Sequence, residues 1–118
     1  MPTVSIHYSK NMSGIDFRSA LTQIHSLLVE HCDAKLKACK GRAECADAFV
    51  IGDGTDSTQA FVIIHIALLS GRTTEQKQRL CESLSDLARE FKASDLNCQV
   101  RLKLEDLARD EQYFFLAN

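Results

Sequence analysis

Three basic side chains and one imino acid carry whatever chemistry this chain can do: Pro2, Lys40, Arg42 and Arg72. Pro2 is the single proline, and removal of Met1 would leave it as a secondary amine at the N-terminus. An ordinary α-amino group titrates near about 7.7 to 8.0, so a modest downward push leaves much of it neutral and able to accept a proton. Neighbouring cations and an apolar pocket both push that way. Lys40-Gly41-Arg42 and Arg72 supply the cations. Arg72 lies in the short loop Ser70-Gly71-Arg72, just before a Thr73-x-x-Gln76 capping box. An arginine beside a helix N-terminus suits a carboxylate, which it can grip through two parallel hydrogen bonds. The plain alternative for each cation is a solvated surface charge, and for Pro2 a proline whose missing N–H costs nothing at a chain start.

The other reactive side chains point nowhere in particular. His7, His25, His31 and His65 lack close metal-ligand spacing, and His65, inside an apolar run, reads as a hydrogen-bonded core or interface residue. Asp53-Gly54-Thr55-Asp56 lacks the later acidic ligands of a calcium loop and reads as a hairpin-like turn. Cysteines 32, 39, 45, 81 and 98 form an odd set without a C-x-x-C pair, which argues against a disulfide framework and for a reducing, cytoplasmic setting. No glycine-rich phosphate loop or nucleophile elbow is present.

The elements that must position these residues follow from periodicity. Residues 3–8 alternate, with Val4, Ile6 and Tyr8 on one face, and predict a strand directly after Pro2. Phe17, Leu21, Ile24, Leu28 and Cys32 recur every three or four residues, an amphipathic helix. A strand is expected within 41–51, where apolar 48–51 runs into Gly52-Asp53-Gly54. Residues 60–69 form a continuous apolar, β-branched run, the central strand and one buried on both faces. Leu80, Leu84, Leu87 and Phe91 stripe a second helix, and Val100, Leu102 and Leu104 alternate with Gln99, Arg101 and Lys103 in a later strand. A short terminal strand is expected at 113–116.

The order is β-α-β twice, with halves at about 2–58 and 59–118 of one domain, 1–118. Right-handed crossovers place both helices on one face of a four-stranded mixed sheet, an α+β architecture. The other face, bearing Ile63 or Ile64 and apolar neighbours, then requires cover by another subunit. With 14 basic and 16 acidic residues, the net charge of −2 provides no global field for nucleic acid or an anionic membrane. The apolar run is also too short to span a bilayer, and the start carries no signal-peptide h-region.

Pro2 at a strand head, Lys40-Gly41-Arg42, Asp53-Gly54, Ala60-Phe61-Val62 and Ser70-Gly71-Arg72-Thr73 together resemble the 5-carboxymethyl-2-hydroxymuconate isomerase family of the tautomerase superfamily. The resemblance runs from Pro2 to about Leu104. It implies a homotrimer with sheets facing inward and a cofactor-independent, metal-free isomerase. It also implies that Pro2 moves a proton between the enol oxygen side and a carbon of a 2-hydroxydienoate in aromatic-compound catabolism. By motif, Arg72 binds a substrate carboxylate and favours the developing charge, and Lys40 with Arg42 forms a second basic site. Lys40 departs from the arginine common in the family, and lysine keeps the charge but loses the bidentate fork. Two alternatives stand beside this reading: a tautomerase acting on another 2-oxo acid, and a non-catalytic oligomeric binding protein of the ferredoxin-like βαββαβ kind.

Overall fold

The computed structural model describes residues 2–91 and 95–108. Strand β1 spans Thr3–Ser9, helix α1 Phe17–Cys32, β2 Lys40–Ala46, β3 Gln59–Leu69, α2 Thr74–Ala88 and β4 Asn97–Leu107. Single 3-10 turns at Lys10–Met12 and Leu36–Ala38 lie in the two connections around α1. The strand expected at 113–116 lies outside the described residues.

The sheet order is β2-β1-β3-β4. β1 runs parallel to β2, β3 runs parallel to β4, and the two pairs meet through the antiparallel β1–β3 ladder. Each β-α-β unit therefore pairs its own two strands directly. A split β-α-β sheet would slot a further strand between them, so the ferredoxin-like alternative does not describe this chain. β2 and β3 flank β1 and do not pair, so the segment carrying Gly52-Asp53-Gly54 crosses the end of β1 and is not a hairpin. Gly52 and Gly54 adopt positive φ there, and the Asp53 and Asp56 carboxylates accept bonds from the Thr55 and Thr58 N–H groups.

Alternation sets the core. Val4 and Ile6 of β1 and Ala60, Val62, Ile64, Ile66 and Leu68 of β3 are buried beneath Phe17, Ala20, Ile24, Leu28 and Cys32 of α1 and Leu80, Leu84 and Leu87 of α2. Both helices thus cover the same sheet face. α1 starts at an Asp16 cap, and α2 starts at Thr73 with the full reciprocal capping box to Gln76.

β2 lies earlier than its apolar signal suggests. The strand ends at Ala46, and 48–51 is loop, with Val50 70% exposed and Phe49 edge-on to Phe61 at 5.8 Å. β2 is an edge strand whose inner residues must be small. A Cβ on Gly41 would stand 2.9 Å from both His25 Nε2 and Leu21 Cδ2 of α1, so the helix packs against bare backbone. The strand's inner positions therefore carry no large apolar residue for a pattern to register.

The helix-free face differs from its expected composition. Ile63 points to it and Ile64 does not; Ile64 is fully buried under the helices. Phe61, Ile63, Ala67 and Leu69 make a half-buried apolar stripe along β3, extended by Phe49 beside Phe61 and Leu107 beside Leu69, but the residues beside its middle are polar. Ile63 lies between His7 and Arg101, and His65 between Ser5 and Lys103. His65 Nε2 is 2.8 Å from Glu105 Oε2, the hydrogen-bonded role expected of it.

Candidate active site

The N-terminal end of β1 gathers the candidate chemistry. Pro2 is fully buried, and its carbonyl accepts the Lys40 N–H at 3.1 Å, carrying the parallel ladder one step beyond the strand. Its own missing N–H removes no ladder bond at this boundary position. Thr3 is flanked by Lys40 on β2 and by Ala67 on β3. Pro2 therefore stands where β2 begins and β3 ends, and the loop leaving β3 brings Arg72 to the same end.

Arg72 is held from below. Its Nε–H donates to the Cys32 carbonyl at 3.0 Å, and its Nη1 donates to the Leu69 carbonyl at 3.0 Å. Cys32 is the last residue of α1, where carbonyls lack helical partners and a cation is favoured. Gly71, at φ 124°, makes the turn that lets the side chain double back. Two of the guanidinium donors are thus committed to backbone, and the remaining terminal N–H groups make no hydrogen bond to a described residue.

Lys40 is exposed and shares the helix-free side with Thr3. Arg42 points to the same side but lies opposite Ser5, about 7 Å farther along the strand. Its Nε donates to Glu44 Oε1 at 2.8 Å. The structure brings Pro2, Lys40 and the loop of Arg72 to one end of the sheet, outside whose Arg72 cleft Pro2 and Lys40 lie, and places Arg42 farther along, paired with Glu44. Burial pushes the Cys39 thiol up, against the opposing pull of nearby positive charges that include Lys40 and Arg72.

A cleft of about 190 Å³ opens over Arg72, lined by Cys32, Asp33, Ser70, Gly71, Arg72 and Gln76. Asp33 and Gln76 are site residues that sequence reasoning missed. Asp33 caps α1 in the left-handed region at φ 53°, ψ 31°, and its Oδ2 accepts from Gln76 Nε2 at 3.2 Å. A non-glycine residue in this conformation is most often Asn or Asp, the one sequence signal available. Gln76 was legible only as a capping residue. Burial raises the Cys32 thiol, with the Arg72 charge lowering it and that of Asp33 raising it.

This end of the sheet sets Lys40 beside a buried proline and the Arg72 cleft at the loop leaving β3, and the architecture is that of the tautomerase superfamily. Similar solved structures include a 5-carboxymethyl-2-hydroxymuconate isomerase from Deinococcus radiodurans R1, with TM-score 0.79 and 18% identity, covering 97% of this chain and 88% of that one. A 5-carboxymethyl-2-hydroxymuconate delta-isomerase matches with TM-score 0.75 and 19% identity over 100% of this chain and 89% of that one. A fused 4-OT described as a symmetric trimer matches with TM-score 0.68 and 19% identity over 91% and 86%. No curated protein matches the sequence. The family model for 5-carboxymethyl-2-hydroxymuconate isomerase matches residues 2–112, and the chain belongs to that family. It is an isomerase of the tautomerase type.

Proposed function

We propose that Pro2, freed by removal of Met1, is the acid/base of a proton transfer that converts an unsaturated 2-hydroxydienoate di- or tricarboxylate to its 2-oxo isomer. The neutral amine takes the 2-hydroxyl proton, the dienolate delocalises its charge, and the protonated amine returns a proton to a carbon of the chain. The proton count is unchanged. Arg72 grips one carboxylate and stabilises charge developing in the dienolate, while Lys40, with Arg42 behind it, takes another. The same cations disfavour protonated Pro2, so binding and base activation share one source.

The observation carrying this reading is the fully buried Pro2 with Lys40 across one ladder and the loop of Arg72 at the end of the other. The substrate is of the 5-carboxymethyl-2-hydroxymuconate kind, and the setting is the catabolism of aromatic compounds in the cytoplasm. Assembly is a homotrimer closed through the helix-free sheet faces. The β3 stripe supports it, as do the fused 4-OT structures described as symmetric and asymmetric trimers. Among the described residues no helix is long and apolar enough to cross a membrane.

The test joins intact mass to kinetics. Purified protein lacking one methionine mass should ketonise a hydroxymuconate, and Pro2→Ala should lower kcat by about 10² to 10⁴, the usual worth of a positioned general base. Full activity in Pro2→Ala, or in protein that retains Met1 throughout, would refute the role. A panel of dienols distinguishes this substrate class from other 2-oxo acids.

A further inference from the structure

Loop 47–51 forms an apolar lip on the helix-free side of the sheet. Phe49 stands edge-on to Phe61, which opens the β3 stripe, at 5.8 Å, and this contact fixes the loop to that side. Val50, next to it, is 70% exposed. The lip is also acidic, since segment 47–58 carries Asp47, Asp53 and Asp56 and no lysine or arginine. The Thr55 and Thr58 hydroxyl groups donate to Asp53 and Asp56 and, with backbone N–H groups, hold both carboxyls below the usual carboxylate range, so both stay charged at neutral pH. The strands carry the opposite sign. Among the described residues the helix-free face presents Lys40, Arg42, Arg101 and Lys103 against Glu44 and Glu105, an excess of two positive charges. Arg42 pairs with Glu44, and Glu105 is taken by His65. Arg101 and Lys103, both exposed on β4 beside Ile63 and His65, form no ion pair with a described residue.

Two helix-free faces laid directly on each other would oppose like charges, at a cost that burial magnifies. A lip laid on the next copy's face opposes unlike charges instead, and it covers exposed apolar surface on both. We infer that the 47–51 lip of one copy docks on the β4 side of the helix-free face of the next, with Val50 against Ile63 and the lip carboxylates toward Arg101 and Lys103. Such a contact is heterologous, joining different patches on the two copies, so its repetition closes a ring where a face-to-face contact would stop at a pair. The inference rests on the proposed homotrimer and adds which surfaces meet in it. It also gives Val50 a use: the residue is apolar for a neighbour's sheet rather than for its own.

Sedimentation of the full chain from nanomolar to micromolar concentration reads the contact. The wild type is expected to form trimers that loosen as sodium chloride rises from about 0.05 to about 0.5 M, because screening weakens attraction between unlike charges. Val50→Ser changes an exposed position, so the far-UV spectrum should stay as it is while the half-dissociation concentration rises by about tenfold, the factor that follows from losing the burial of one valine. Asp47, whose carboxylate meets only the Cys45 thiol at 3.9 Å, can be reversed without cost to the fold. Asp47→Lys and Arg101→Glu should each loosen the trimer by a similar factor, and together they should loosen it by less than the product of the two. A wild-type trimer that ignores Val50→Ser, or whose two charge variants simply multiply, overturns the docking and leaves the trimer standing. An assembly that tightens with salt overturns it as well, since like charges then face each other. A wild-type monomer at micromolar concentration removes the trimer itself, and this contact with it.

Discussion

Arg72 shows how much a single side chain's meaning depends on what holds it. Two carbonyls at 3.0 Å, from the end of α1 and the end of β3, fix the guanidinium plane before any ligand arrives. Such pre-organisation is what makes a charge useful in a transition state. Arg72→Lys keeps the charge but cannot span both carbonyls while offering an edge to a ligand. We expect kcat/KM to fall by about 10- to 100-fold, with much of the loss in kcat, measured on a hydroxymuconate under steady-state conditions. A change confined to KM would mean that Arg72 binds substrate and transition state alike.

Among the elements, β2 and α1 are the coupled pair. α1 rests on Gly41, and His25 lies in that contact with its Nε2 buried and without a hydrogen-bond partner among the described residues. Burial lowers the His25 pKa below its ordinary value near about 6.5, because the charged ring loses solvent there. The unfolded chain therefore binds the proton more readily than the folded one, and stability rises with pH across the interval between the two values. Stability should accordingly fall as pH drops through about 6.5 and continue falling until the lower folded value is passed. Urea midpoints of wild type and His25→Gln, taken at several pH values across that interval, should show a shallower acid loss in the variant. Equal slopes would remove His25 from the account. Since Lys40 and Arg42 flank Gly41, loosening this contact also disturbs the second basic site.

At the scale of the whole molecule, the question is what covers the helix-free face. The β3 stripe of Phe61, Ile63, Ala67 and Leu69 is apolar and continues into Leu107, while His7, Arg101, Lys103 and the His65–Glu105 pair flank its middle. Such a mixed surface suits an interface in which an apolar centre supplies burial and polar groups select the register. Ile63→Lys would bury an ammonium beside Arg101 and His7 in any such assembly. Sedimentation should show the wild type as a trimer and Ile63→Lys as a monomer with an unchanged far-UV spectrum. A wild-type monomer at micromolar concentration would overturn the proposed assembly.

The chain order alone determined the two β-α-β units, the central strand, both helix stripes, the capping box at Thr73 and the family resemblance. These are local: hydrophobic period and cap chemistry express themselves within a few residues. Pro2, Lys40 and Arg72 were legible as candidates for the same reason, each standing at a recognisable element boundary. Tertiary structure decided the rest. Only packing under α1 explains why β2 begins at Lys40 on a bare glycine while apolar 48–51 lies in a loop. Only the sheet register reveals that polar neighbours flank Ile63 and His65 on β3, and only the meeting of α1 with the β3–α2 loop sets Asp33 and Arg72 in one cleft. Those contacts join residues from 16 positions apart, His25 and Gly41, to 56 apart, His7 and Ile63, and no periodic signal reaches that far along a sequence.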